Sequence, residues 1–119
     1  MLGLRTVIYR VPDMQEAKAW YTKVFLQNPY FDEPFYIGFN IGGYELGLQP
    51  EEGNDAVKGD NVLVYWGAEN IEETYHRIME LGASSHETPT NVGGDIVVAS
   101  LKDPWGNILG LIYNPHFAV

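Results

Sequence analysis

Three histidines and no cysteine are all that this chain of 119 residues offers for imidazole or thiolate chemistry. Without cysteine there is no thiolate nucleophile, no disulfide framework and no Cys-ligated zinc or iron–sulfur centre. His76 stands between Glu72 and Glu80 at i ± 4, the spacing of a charged ladder on the solvent side of a helix. His86 falls in a polar stretch read as a turn, and His116 near the end of the chain; neither has a second ligand at chelating spacing. There is no Gly-x-Ser-x-Gly elbow and no phosphate-binding glycine loop followed by lysine. A carboxylate, Glu45, and a phenol, Tyr65, remain as candidates for metal-free acid–base catalysis.

The elements that must position these groups alternate regularly. Thr6 to Val11 reads as a strand, broken by Pro12-Asp13. Asp13 is a helix N-cap with Glu16 three residues on, and Met14, Ala17, Tyr21, Val24 and Phe25 follow near the 3.6 period. The spacing predicts a helix over 14–25, stopped by Asn28-Pro29. From Phe31 to Gln49 the chain is aromatic and glycine-punctuated, a hairpin of 35–41 and 44–49 about Gly42-Gly43. The second half starts the same way, with a strand over 62–68, an N-cap at Asn70 and a helical stripe from Ile71 to Leu81. A polar turn over 84–91 follows, then a hairpin of 96–101 and 107–113 around Asp103-Pro104-Trp105-Gly106.

The halves are an internal repeat, each reading β-α-β-β-β. Asn70-Ile71-Glu72-Glu73 repeats Asp13-Met14-Gln15-Glu16 at an offset of 57, and Gly106 to Leu111 repeats Gly43 to Leu48 at an offset of 63. The expected organisation is one α+β domain over 1–119. Its modules are 1–52 and 60–115, joined by an acidic, glycine-containing linker. A hydrophobic fraction of 45% and a charged fraction of 19% suit a globular protein. A net charge of −9 repels phosphate backbones and anionic lipid, so neither nucleic acid nor a membrane is an expected partner. The opening residues carry no apolar leader, and no run of about 18 apolar residues occurs, which points to a cytoplasmic protein.

Val11-Pro12-Asp13 with Trp20 to Val24, Gly43 to Leu48, Leu81-Gly82-Ala83 and above all Asp103 to Asn107 resemble the vicinal oxygen chelate superfamily: glyoxalase I, bleomycin-resistance proteins and extradiol dioxygenases. The resemblance spans essentially the whole chain. It implies two βαβββ modules forming an open eight-stranded cup with helices outside, assembled as a homodimer. In the superfamily's metalloenzymes, one divalent ion is held by side chains from the first and last strands of each module, usually His and Glu. Here those positions fall on Thr6, Gly47, Leu63 and Gly110, so no metal cofactor is expected; a divalent ion at displaced ligands is the alternative.

Strand alternation about these positions turns Thr6, Ile8, Arg10, Glu45, Gly47, Gln49, Leu63, Tyr65, Gly67, Ile108, Gly110 and Ile112 inward. Thr6, Ile8, Arg10, Glu45, Gly47, Gln49, Leu63, Tyr65, Ile108 and Gly110 are the candidate ligand-binding set. Such a surface, apolar with a few polar groups, suits a small aromatic or cationic molecule. Three functions stay open: a metal-free, bleomycin-resistance-like binding protein; an enzyme of the glyoxalase or dioxygenase kind, with displaced ligands or acid–base chemistry; and a non-catalytic scaffold whose cup is filled. Whether Arg10 pairs with Glu45 decides between a cationic ligand and an anionic one.

Overall fold

A computed structural model describes residues 1–53 and 57–117. Residues 54–56 of the expected linker lie outside the described residues. The chain divides into two compact units, Met1–Val57 and Lys58–Val119.

In unit 1, β1 (Thr6–Val11) leads to α1 (Met14–Phe25), then β2 (Phe31–Glu33), β3 (Tyr36–Ile41) and β4 (Tyr44–Pro50). These strands form one mixed sheet, sheet A, in the order β1-β4-β3-β2, with only the β1–β4 pair parallel. The helix begins where the sequence places it: the Asp13 carboxylate accepts hydrogen bonds from the backbone of Gln15 and Glu16 at 3.0 and 3.1 Å. It ends at Leu26 in the left-handed region (φ 57°), before Asn28-Pro29 is reached. One sheet face is apolar at every second residue, and Tyr9, Val11, Ile37, Phe39, Leu46 and Leu48 are buried there, as are Ala17, Trp20, Tyr21 and Val24 of α1. Each of the larger side chains contributes about 1.5–3 kcal/mol by leaving water. The alternate residues stand on the other face, away from the helix.

Unit 2 repeats the plan with β5 (Tyr65–Gly67), α2 (Ile71–Glu80), β6 (Ser84–Gly93), β7 (Ile96–Lys102) and β8 (Ile108–Tyr113). Sheet B has the order β5-β8-β7-β6, again with its first and last strands parallel. Asn70 caps α2 by accepting from the Glu73 backbone at 3.1 Å. The repeat holds to the residue: Ile8 faces Gly47 in β1–β4, and Tyr65 faces Gly110 in β5–β8. The α+β fold of two βαβββ modules follows.

Two expectations fail in unit 2. The strand over 62–68 shortens to Tyr65–Gly67, and Leu63 lies before it, exposed. Ahead of it, Val64 still accepts from the Gly110 backbone at 3.0 Å, and Lys58 lies beside Gly106 with its Nζ donating to Asn107 at 3.1 Å. The polar segment 84–91, read as a turn, is the outer strand β6, so His86 lies on a strand. An edge strand needs no apolar alternation, and its irregular register with β7 accommodates Pro89.

Candidate functional site

On the open face of sheet A, residues in register make a row across four strands: Phe31 of β2, Gly38 of β3, Gly47 of β4 and Ile8 of β1. The two central positions carry no side chain. Two tyrosine rings use that space. A Cβ on Gly47 would stand 2.2 Å from the Tyr36 hydroxyl, and one on Gly38 would stand 2.9 Å from the Tyr30 ring. Glycine inside a strand costs roughly 0.5–1 kcal/mol against alanine, and close approach of these rings is what the pair of glycines permits.

The hydroxyls converge on Glu45, one row along. Thr6, directly opposite on β1, donates from Oγ1 to Glu45 Oε1 at 2.8 Å. Tyr30 donates its hydroxyl to Oε2, while the Tyr36 hydroxyl lies over Gly47. The Tyr30 bond, above all, holds the Glu45 carboxyl below the usual carboxylate range; burial opposes this, and Thr6 and Tyr36 add to it. Conversely, the hydrogen bond to Glu45 raises the Tyr30 phenol, while burial and then Glu45 raise that of Tyr36. Glu45 is therefore a carboxylate at neutral pH, and both tyrosines are protonated donors.

Aromatic rings extend the patch. Phe31 lies 6.5 Å from Tyr30, 6.2 Å from Tyr36 and 6.1 Å from Phe35, centroid to centroid. Tyr30 is 64% exposed and Phe31 39%. A half-buried anion thus sits beside partly exposed aromatic rings.

Among the expected site residues, Thr6 and Glu45 bond directly, and Ile8 and Gly47 share the next row. Arg10 stands opposite Gln49, four residues along β1 from Thr6. The groups that shift Glu45 are hydroxyls and burial rather than that guanidinium. Tyr65 and Gly110 are paired in unit 2, where a Cβ on Gly110 would strike the Val64 carbonyl oxygen at 2.4 Å and the Tyr65 ring at 2.8 Å. The repeat position of Glu45 is taken there by Ile108, and that of Gly38 by Ser100, which is 1% exposed and bonds His86 Nδ1 at 2.7 Å. Glu45 and Tyr65, grouped by sequence as an acid–base pair, belong to different units. The phenols beside Glu45 are Tyr30 and Tyr36, which sequence reasoning missed; glycines at 38 and 47 amid strand-forming residues were the signal for them.

The other histidines have local roles. His76 Nε2 lies 3.5 Å from Glu72 on the exposed side of α2, and His116 Nε2 is 2.7 Å from the Gly94 carbonyl oxygen. Among the described residues, no three His, Asp or Glu side chains cluster closely enough to hold a metal ion. Thr6, Gly47, Leu63 and Gly110 offer between them one side-chain oxygen, already engaged with Glu45. No helix among the described residues is long and apolar enough to cross a membrane.

Two β-α-β-β-β units, each closing its sheet through a parallel first-to-last strand pair, define a protein of paired βαβββ modules. The sequence model of the Glyoxalase/Bleomycin resistance protein/Dioxygenase superfamily matches residues 3–111, and the chain belongs to that family. Solved structures of the same fold include a glyoxalase-related enzyme from Fulvimarina pelagi (16% identity, TM-score 0.80), covering 100% of this chain and 93% of that one. The fosfomycin resistance protein FosX from Listeria monocytogenes is similar at 17% identity and TM-score 0.79, covering 98% and 96% of the two chains. A glyoxalase/bleomycin resistance protein/dioxygenase family enzyme from Burkholderia phytofirmans gives 18%, 0.77, 90% and 94%. No curated protein matches the chain in sequence.

Proposed function

We propose that this protein binds a small aromatic, cationic molecule on the open face of sheet A, against Glu45, without the superfamily's usual metal. The observation that carries the reading is the carboxylate of Glu45, kept ionised by Thr6, Tyr30 and Tyr36 beside exposed aromatic rings. Negative charge attracts a cation, and each ring face adds ~0.5–2 kcal/mol of cation–π attraction. The net charge of −9 raises the local concentration of cations, an effect that salt screens.

The four positions of the metalloenzyme ligands do not fit a divalent ion. One threonine hydroxyl is a poor ligand, leucine is none, and the glycines have no room for a side chain. No step is therefore derived through a metal. The protein is proposed to act in the cytoplasm as a homodimer, as the family resemblance implies.

A thermal-shift screen of aromatic compounds of varied charge, at low and high salt, tests the reading. The expected hits are cations whose effect weakens in salt and is lost in Glu45→Gln. Anionic hits that depend on Arg10, lost in Arg10→Met, would overturn it.

A further inference from the structure

Unit 2 carries a polar group of its own on the open face of sheet B. Across that face Tyr65 of β5, Gly110 of β8 and Ser100 of β7 stand in register. Beyond Ser100 the outer strand is bulged: Ser85 pairs with Leu101 and Glu87 with Ser100, which makes His86 the extra residue. A bulge re-aims the side chain it carries, and His86 Nδ1 comes within 2.7 Å of Ser100 Oγ. Ser100 is 1% exposed, and His86 is its one hydrogen-bond partner among the described residues. That burial fixes the tautomer. If Oγ only accepted from Nδ1, its own hydrogen would be enclosed without an acceptor, the costlier arrangement. Ser100 therefore donates to Nδ1, and a neutral His86 carries its hydrogen on Nε2. Nε2 has no partner among the described residues. No enclosed side-chain nitrogen or oxygen of a buried or half-buried residue lacks one there, so Nε2 reaches solvent.

The surface beside this donor is apolar. Tyr65 leans over Gly110, where an added Cβ would meet its ring at 2.8 Å, and the half-buried Ile108 and Ile112 flank Gly110 on the same face. Paired positions such as Ser100 and Gly110 hold their Cβ sites ~4.5–5.5 Å apart, so the imidazole and phenol that lean over them can share one small ligand. Glu87, with Oε1 3.8 Å from His86 Nδ1, and the net charge of −9 oppose an anion. Lys102, exposed and two residues along β7, is the opposing charge that a benzoate probe measures. We propose that the open face of sheet B is a second binding site, for a small neutral aromatic carbonyl compound whose oxygen accepts from His86 Nε2–H while its ring packs on Tyr65 and the two isoleucines. Ser100 is a positioning residue there, holding the imidazole in its donating tautomer. A placed donor on an apolar surface matches both parts of such a ligand.

Nitrogen NMR of the histidine side chains, on the full chain in mildly alkaline buffer, reads the tautomer. The hydrogen of His86 is expected on Nε2; a hydrogen on Nδ1 would overturn the proposal. Amide shifts under titration with acetophenone, its acceptor-free isostere α-methylstyrene, and benzoate read the ligand. Acetophenone should shift the signals of Tyr65, His86, Ser100 and Gly110 and bind about threefold to tenfold tighter than α-methylstyrene, the worth of one hydrogen bond. His86→Phe should bring the two probes level. Ser100→Ala should narrow the gap by mixing the tautomers while leaving α-methylstyrene affinity unchanged, a split that a merely structural role would not give. Equal binding of the two probes in the native protein, a preference that survives His86→Phe, tighter binding of benzoate, or shifts absent or located elsewhere would each overturn the site. An unchanged gap in Ser100→Ala would overturn the positioning role. If either variant does not fold, the tautomer and the order of the three probes in the native protein decide.

Discussion

Glu45 ties the hydroxyls of Thr6 and Tyr30 into one network, and the network makes the protein's pH response specific. Its lowered carboxyl pKa contributes stability that is fully present above the unfolded value, near ~4.3, and is lost as pH falls through the folded value. The raised Tyr30 and Tyr36 phenols act at the other end: their contribution is full below about pH 10 and is lost as pH rises through their folded values. In urea denaturation, the stability difference between the native protein and Glu45→Gln should shrink between about pH 6 and 3; a constant difference would contradict the network. Tyr30→Phe should return the Glu45 carboxyl toward its ordinary range, read from the side-chain carbonyl in an NMR titration. The two filled glycines should also differ. Gly47→Ala meets the movable end of Tyr36 and should cost ~1–2 kcal/mol, with strong non-additivity when combined with Tyr36→Ala. Gly110→Ala meets the backbone of Val64 and should cost more, about 2–4 kcal/mol. Denaturation midpoints of the single and double variants decide both. The shared inward phase of Thr6 and Glu45 was legible from strand alternation; their direct register, with Thr6 rather than Arg10 bonded to Glu45, was not. Tyr30 was not, because it lies before β2, where no alternation fixes which way a side chain points.

At the scale of elements, the two modules agree on their packed faces and part company on their open ones. Tyr9 and Val11 match Trp66 and Ala68, Leu46 and Leu48 match Leu109 and Leu111, and Ile37 and Phe39 match Ala99 and Leu101. Opposite them, Glu45, Gly38 and Thr6 are answered by Ile108, Ser100 and Leu63. Packing against a helix constrains the first set to apolar types, whereas the second is free to carry chemistry, so the fold was far more legible than the site. Both helix starts follow from capping side chains, and Asp13→Ala and Asn70→Ala should each cost ~1 kcal/mol in thermal or urea unfolding. The turn before β8 depends on Asp103, buried at 4% exposure and accepting from the backbone of Trp105 and Asn107 and from the Asn107 amide. Asp103→Ala should destabilise by roughly 2–3 kcal/mol, since three donors lose a charged partner. The strand β6 escaped sequence reading because an edge strand displays polar residues on both sides; Leu63 was placed on a strand that begins only at Tyr65.

For the whole molecule, the decisive property is a net charge of −9 around an ionised Glu45 beside exposed aromatic residues. Sedimentation at micromolar concentration should show a dimer, and a monodisperse monomer would contradict the proposed assembly. The most direct test of metal-free cation binding is a titration of the chelator-treated protein with benzyltrimethylammonium, followed by amide NMR shifts. Saturable shifts confined to the surroundings of Tyr30, Gly38, Glu45 and Gly47, abolished in Glu45→Gln and unaffected by added divalent ions, are the result expected. Shifts located elsewhere, or binding that appears only once a divalent ion is restored, would contradict it.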